Sequence, residues 1–190
     1  MRGGQVCRLY FLCGDRALSH ALAATEGMAR IAYDLSCGTS ADDIFGAVQR
    51  IKGNAAEGRR KELRLLKEIA KFEGERVKLE LDAGRNAWCH RAQEGMEFVQ
   101  MVLFELKQTL KEVQGAFAVF ALGEEKKAGQ IVVVGASTAV EGFAKRLLDS
   151  GIEVKGNGKG ERWQGKVVEW KKGDIKKLEA LVREPVSSEG

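Results

Sequence analysis

Histidine and cysteine are scarce in this 190-residue chain, which carries two of the first (His20, His90) and four of the second (Cys7, Cys13, Cys37, Cys89). No CxxC, HExxH or HxxxH spacing occurs, so a Cys/His zinc cage has no ligand set to draw on, and no metal or other cofactor is expected. Sparse thiols in apolar surroundings read as small buried hydrophobes rather than as a disulfide framework. Long apolar runs are missing too. The longest, residues 116–122, has seven residues, against the roughly 20 that a membrane helix needs. Arg8 and Asp15 interrupt any leader-like stretch at the N-terminus and no small-residue cleavage site follows. A secretory or mitochondrial leader is therefore disfavoured, and a cytoplasmic location with no membrane partner is expected. The GxxxxGK[ST] pattern of a nucleoside-triphosphate loop is absent.

Catalytic groups are equally hard to find. Cys89 and His90 are neighbours, but adjacent residues of a strand point to opposite faces, so they do not make a nucleophile–base pair. His20 lies on an expected helix without an acid–base partner. Glu94, Glu97 and Glu105 are scattered, with no apolar pocket that periodicity can identify. No catalytic residue is assigned.

What is present is an ordinary core-forming composition, 44% hydrophobic and 31% charged. Residues 6–13 (VCRLYFLC) read as a short strand. Residues 15–84 read as a helical arm. Asp15 opens a first helix with apolar residues at Leu18, Leu22, Met28, Ile31 and Leu35, and Cys37-Gly38 closes it. Thr39-Ser40 with Asp42 and Asp43 starts a second helix, in which Gly53 and Gly58 predict a kink or local fraying. A four-residue turn makes the two an antiparallel hairpin, whose Lys/Glu-rich face reads as a solvated spacer. After Gly84 the texture changes. Residues 85–185 alternate strand-like and helix-like segments: strands at 87–91, 117–122, 131–134 and 166–170, and helices at 96–110, 139–148 and 175–183. The two apolar runs at 117–122 and 131–134 read as central strands covered on both faces. A polar tail, residues 186–190, follows Pro185. The fold class expected is α+β: an N-terminal strand and long helical hairpin, then a compact α/β domain with a mixed sheet of about four strands.

The net charge of +4 is concentrated in one place. Residues 155–172 hold six basic side chains against two acidic ones, which is the whole excess. Within that window residues 155–166 read KGNGKGERWQGK, a loop carrying Lys155, Gly156, Gly158, Lys159, Gly160, Arg162, Trp163, Gln164, Gly165 and Lys166. Glycines let backbone N–H groups approach a phosphate, cations neutralise it, and Trp163 offers a face for stacking a base. Those ten residues are the candidate nucleic-acid contact, set against the plainer reading of a mobile, solvated connection.

The order LYFLCGDRAL, helical arm, WCHRAQEGMEFVQ, two apolar strands ending VVVGAS, and then KGNGKGERWQGK resembles the C-terminal half of AlaX-type alanyl-tRNA editing proteins, relatives of the C-terminal region of alanyl-tRNA synthetase. The pieces that carry the resemblance are His90-Arg91, Glu94-Gly95 and Glu97-Phe98, and above all Gly158-Lys159-Gly160 with the run from Arg162 to Lys166. The resemblance implies a DHH-associated type of domain over 85–185 whose glycine-rich segment contacts tRNA, in family terms tRNA(Ala). It also implies a zinc-dependent deacylase domain, built on an HxxxH pair with a later Cys and His, whose ligands this sequence lacks. Residues 1–14 then read as the last strand of that editing domain. This chain alone is expected not to deacylate tRNA. Two departures, Asn157 and Glu161, interrupt the glycine run. The competing expectation is an oligomerisation or docking element without RNA affinity of its own, with a second copy or a separate editing subunit as partner.

Overall fold

A computed structural model describes Phe11 and residues 13–184. The strand expected at residues 6–13 lies outside the described residues apart from Phe11 and Cys13, neither of which is in a strand, and the tail 186–190 lies outside them too. The chain divides into two compact units between Glu62 and Leu63.

The first unit contains α1 (Gly14–Asp34) and the first half of α2 (Ala41–Asp82). Ser36 rather than Gly38 takes the left-handed position after α1, with φ +49°. Its N–H bonds the Tyr33 carbonyl and the Cys37 N–H bonds that of Ala32, closing the helix by a Schellman turn. Ser40 caps α2: its hydroxyl accepts from the Asp43 N–H at 3.1 Å and donates to the Asp43 carboxylate at 2.6 Å. Gly53 and Gly58 do not interrupt the helix: α2 is helical throughout its 42 residues. Each glycine costs about 1 kcal/mol in a helix, but strong helix formers surround both, proline is absent, and a nucleated helix propagates past them. In this unit only Ala32 and Ala47 are buried among the described residues.

The second unit is built on a five-stranded mixed sheet: β1 (Ala87–Arg91), β2 (Phe117–Leu122), β3 (Gly129–Gly135), β4 (Val154–Lys159) and β5 (Arg162–Val167), in the order β1-β2-β3-β5-β4. β1 and β2 are parallel and the other pairs antiparallel. Strand β2 is buried along its whole length. Phe117, Val119 and Ala121 face one core with α5 (Ser137–Asp149) and α6 (Asp174–Arg183). Ala118, Phe120 and Leu122 face the other, with the end of α2 and α3 (Met96–Glu105). The central-strand expectation for β2 and β3 therefore holds.

Four expectations need correcting here. Gly84 is not a boundary between units: Ala70, Val77 and Leu81 of α2 share one core with Phe98, Val99 and Val102, so the last turns of α2 belong with the sheet, and Gly84 closes the helix by a turn into β1. The helix expected at 96–110 is two, α3 and the single turn α4 (Thr109–Glu112). The helix expected at 139–148 starts two residues earlier, so Ser137 and Thr138 lie inside α5. The strand expected at 166–170 ends at Val167, because the fully buried Trp170 turns inward and its indole N–H donates to the Leu122 carbonyl at 2.9 Å.

Candidate nucleic-acid interface

Residues 155–166 are not a loop. Val154–Lys159 and Arg162–Val167 pair as β4 and β5, joined by the two-residue turn Gly160-Glu161. The first strand of this hairpin, β4, is the one beyond the four expected. Gly160 has φ +73°, the conformation glycine supplies at the first central position of a type II′ hairpin turn. The Glu161 carbonyl accepts from the Gly135 N–H at 3.1 Å, and the Gly160 N–H bonds a Glu141 carboxylate oxygen at 3.3 Å. The tip is therefore tied both to β3 and to α5.

The pairing register sorts the ten candidate residues onto two faces. Val154, Gly156 and Gly158 pair with Val167, Gly165 and Trp163, and this set looks toward α5. Trp163 is only 5% exposed and lies in the core with Val133, Val140 and Phe143, so it offers no face for stacking a base. The glycines follow from the same packing. A Cβ at Gly156 would fall 2.3 Å from Trp163 Cζ2, and one at Gly165 would fall 2.4 Å from Trp163 Cη2. The indole occupies the space where side chains would otherwise be. Gly156 and Gly165 thus serve the indole, Gly158 makes room for the Trp163 backbone, where a Cβ would fall 2.4 Å from Trp163 Cα, and of the four glycines only Gly160 stands at the tip.

The other face carries Lys155, Asn157 and Lys159 opposite Lys166, Gln164 and Arg162. Beyond them in β3, Val132 and Val134 pass under the core formed with α2 and α3, but Lys155, Asn157, Lys159, Arg162 and Lys166 are exposed and Gln164 half-buried. Lys155 stands directly opposite Lys166, and Lys159 directly opposite Arg162. Like charges in that position destabilise a hairpin. Among the described residues none of these four cations is in an ion pair, whereas Lys171, the next cation along, is held by Glu153 at 2.6 Å. The face presents two unneutralised cation pairs with the amides of Asn157 and Gln164 between them.

The Cys89–His90 pair behaves as strand geometry requires. His90 Nε2 is 2.9 Å from the Gly123 carbonyl and its ring stacks on Trp88. Cys89 is buried on the opposite side. Burial, with the Glu73 carboxylate beside it, pushes its thiol up to about 12, the opposite of an activated nucleophile.

Comparison with known proteins follows this geometry. The chain is 25% identical over 180 residues to the alanyl-tRNA editing protein Aarsd1-B of Xenopus laevis, covering 95% of this chain and 41% of that protein. It is 25% identical over 181 residues to alanyl-tRNA editing protein Aarsd1 of Rattus norvegicus, covering 95% and 42%. The chain resembles the alanyl-tRNA editing proteins. It spans about two-fifths of the length of these curated relatives. No protein-family model matches it. Among solved structures, the C-Ala domain of Aquifex aeolicus alanyl-tRNA synthetase aligns with 52% of this chain and 91% of that one, at 8% identity and a TM-score of 0.37.

Arg91 and Phe98, two of the residues that carry the resemblance, have structural duties in this fold. Arg91 places its guanidinium 5.0 Å from the centre of the Phe98 ring and bonds Glu73 at 2.9 Å. Glu73 and Arg76, which the sequence reading left on a solvated helix face, complete a network. Arg76 bonds Glu73, Glu80 at 2.8 Å and the Trp88 carbonyl at 2.6 Å. Burial alone would raise the Glu73 carboxyl, but the Arg76 and Arg91 guanidinium groups together hold it below the ordinary carboxylate range. The i, i+3, i+4 spacing on the same helix face as Val77 was the available signal. Among the described residues no group of three or more His, Cys, Asp or Glu side chains could hold a metal ion. The described residues do not fit the editing-domain zinc. No described helix is long and apolar enough to cross a membrane.

Proposed function

We propose that this chain is a tRNA-binding portion of an alanyl-tRNA editing protein, and that the outer face of the β4–β5 hairpin is its RNA contact. Lys155, Lys159, Arg162 and Lys166 reach backbone phosphates, and Gly160 lets the tip approach them. Hydrolysis of mischarged tRNA(Ala) is assigned to a zinc-dependent deacylase domain outside these residues. The reading is supported most by the two like-charged cross-strand pairs, Lys155 with Lys166 and Lys159 with Arg162. An arrangement that costs the free hairpin stability is explained if a polyanion neutralises it.

The test is a fluorescence-anisotropy titration with labelled tRNA(Ala) and a non-cognate tRNA at two salt concentrations. Binding in the micromolar range or tighter that weakens with salt is expected. The K159A/R162A/K166A variant should flatten the slope of log K against log salt by about 2.7, three contacts at ~0.9 each. Equal affinity of variant and wild type would remove the hairpin from the interface.

A second reading, assembly through the helical unit, rests on one observation. Leu18 (60% exposed), Leu22 and Ile31 of α1, with Phe45 (65%) and Ile51 of α2, leave a stripe of apolar side chains uncovered. Sedimentation at several concentrations tests it, and a monomer throughout rules out self-association.

A further inference from the structure

The outer face of the hairpin specifies the kind of RNA it fits, an inference that rests on the binding role proposed above. Proteins that hold single-stranded nucleic acid stack successive bases on exposed aromatic rings. The hairpin has one aromatic residue, Trp163, and it is buried on the far face. What the outer face offers instead is a repeating polar pattern. At one end stand Lys155 and Lys166, at the other Lys159 and Arg162, and between them Asn157 opposite Gln164. The two cation pairs are four residues apart along each strand, about 13 Å at ~3.3 Å per residue. The amide oxygens are turned to the protein: Asn157 Oδ1 accepts from the Gly158 N–H at 2.8 Å, and Gln164 Oε1 faces the Arg162 guanidinium at 3.5 Å. With the oxygens so engaged, both amide NH2 groups are left without a partner among the described residues and are available as donors.

We infer that this face binds double-stranded RNA across its wide, shallow minor groove. In that groove ribose 2′-hydroxyls lie between the two phosphate backbones. The cation pairs would take phosphates on either side, and the Asn157 and Gln164 amides would donate to 2′-hydroxyl oxygens between them. Cations alone bind any polyanion; the central amides are what distinguish RNA from DNA, because DNA has no 2′-hydroxyl to meet them.

The experiment compares four labelled probes on the full chain at one salt concentration: tRNA(Ala), a blunt RNA duplex of about 16 base pairs, the DNA duplex of the same sequence, and oligo(U) of the same length. The RNA duplex should bind about tenfold more tightly than the DNA duplex, the effect expected of two ordinary hydrogen bonds, and oligo(U) more weakly than the RNA duplex. The N157A/Q164A variant should bind the RNA and DNA duplexes with equal affinity, and its far-UV circular dichroism should match wild type, which shows that it is folded; a retained tenfold RNA preference would overturn the amide role. Equal binding of RNA and DNA duplexes by the wild-type chain, or tighter binding of oligo(U), would overturn the duplex inference. So would binding of tRNA without the RNA duplex, and in these cases the tRNA-binding role stands. Absence of binding to all four probes would overturn that role as well.

Discussion

Adding one methyl group at Gly165 separates two roles that a glycine-rich basic segment can play. In this fold Gly165 is buried, and a Cβ there would stand 2.4 Å from Trp163 Cη2 and 2.7 Å from Val154 Cγ2. Both neighbours are in the core beside Val133 and Val140, so neither can swing into solvent to make room. Overpacking of this kind costs 1–3 kcal/mol. About 2 kcal/mol is expected for Gly165→Ala, a fall in Tm of roughly 6–10 °C for a unit of this size. Gly142→Ala is the control. It sits on α5 with nothing within 4 Å of the added carbon, and in a helix alanine should stabilise by about 0.5–1 kcal/mol. Trp163→Leu in the Gly165→Ala background should recover part of the loss, with a coupling of at least ~1 kcal/mol in a double-mutant cycle. Thermal and urea unfolding followed by circular dichroism measure stability, and anisotropy with tRNA measures binding well below Tm. If Gly165→Ala unfolded at the wild-type temperature yet lost RNA affinity, the glycine would be serving phosphate approach and the packing account would be wrong.

Three shorter expectations follow from other parts of the second unit. Lys166→Glu faces Lys155 across the hairpin, so it should raise stability by about 0.5–1 kcal/mol at low salt while weakening RNA binding; urea unfolding at two salt concentrations checks that the gain fades with screening. Glu73→Gln leaves Arg76 and Arg91 without their shared carboxylate and should cost about 2 kcal/mol. Because the folded carboxyl lies below its unfolded value of about 4.3, the wild-type contribution is complete above that value. It is lost as pH falls through the lower folded one, so the difference between the two proteins should shrink in acid. Alkylation at pH 8 read by mass spectrometry should label the exposed Cys13 ahead of Cys89, whose thiol, raised to about 12, should react only after denaturant is added.

The parts of the fold that were legible in the sequence are those where one period dominates. Residues 117–122 are apolar at every position because both faces of β2 are covered, and the expected strand has the observed bounds. The helices were readable in place and order. The hairpin was misread for a physical reason. Strand recognition relies on alternating apolar and polar side chains, but on the α5 side of β4 two of the three positions are glycine, because the Trp163 indole lies against Gly156 and the Trp163 backbone against Gly158. With the apolar half of the alternation missing, only the lysines and glycines were visible, and these read as a loop. Trp163 carries the correction: an aromatic among glycines at offsets of two is a sign of a ring lying across neighbouring strands. The Glu73–Arg76–Arg91 network was hidden differently, because Arg91 is 18 residues from Glu73 and only the tertiary fold brings them together.

The period of two in the hairpin also makes affinity and stability separable by residue. Positions 154, 156, 158, 163, 165 and 167 lie on the α5 side, where Val154, Trp163, Gly165 and Val167 are buried, and positions 155, 157, 159, 162, 164 and 166 lie on the other face. Substitutions in the first set should move unfolding and alter binding only through unfolding. Substitutions in the second should move binding, and those that remove a like charge should raise stability as they do so. The opposite signs follow from one geometric fact, two cation pairs placed face to face on a sheet surface that no described helix covers. A merely solvated surface would gain from relief of that repulsion at no functional cost. Loss of affinity accompanying the gain in stability would therefore tie the repulsion to RNA binding, through the same side chains and in the same variants.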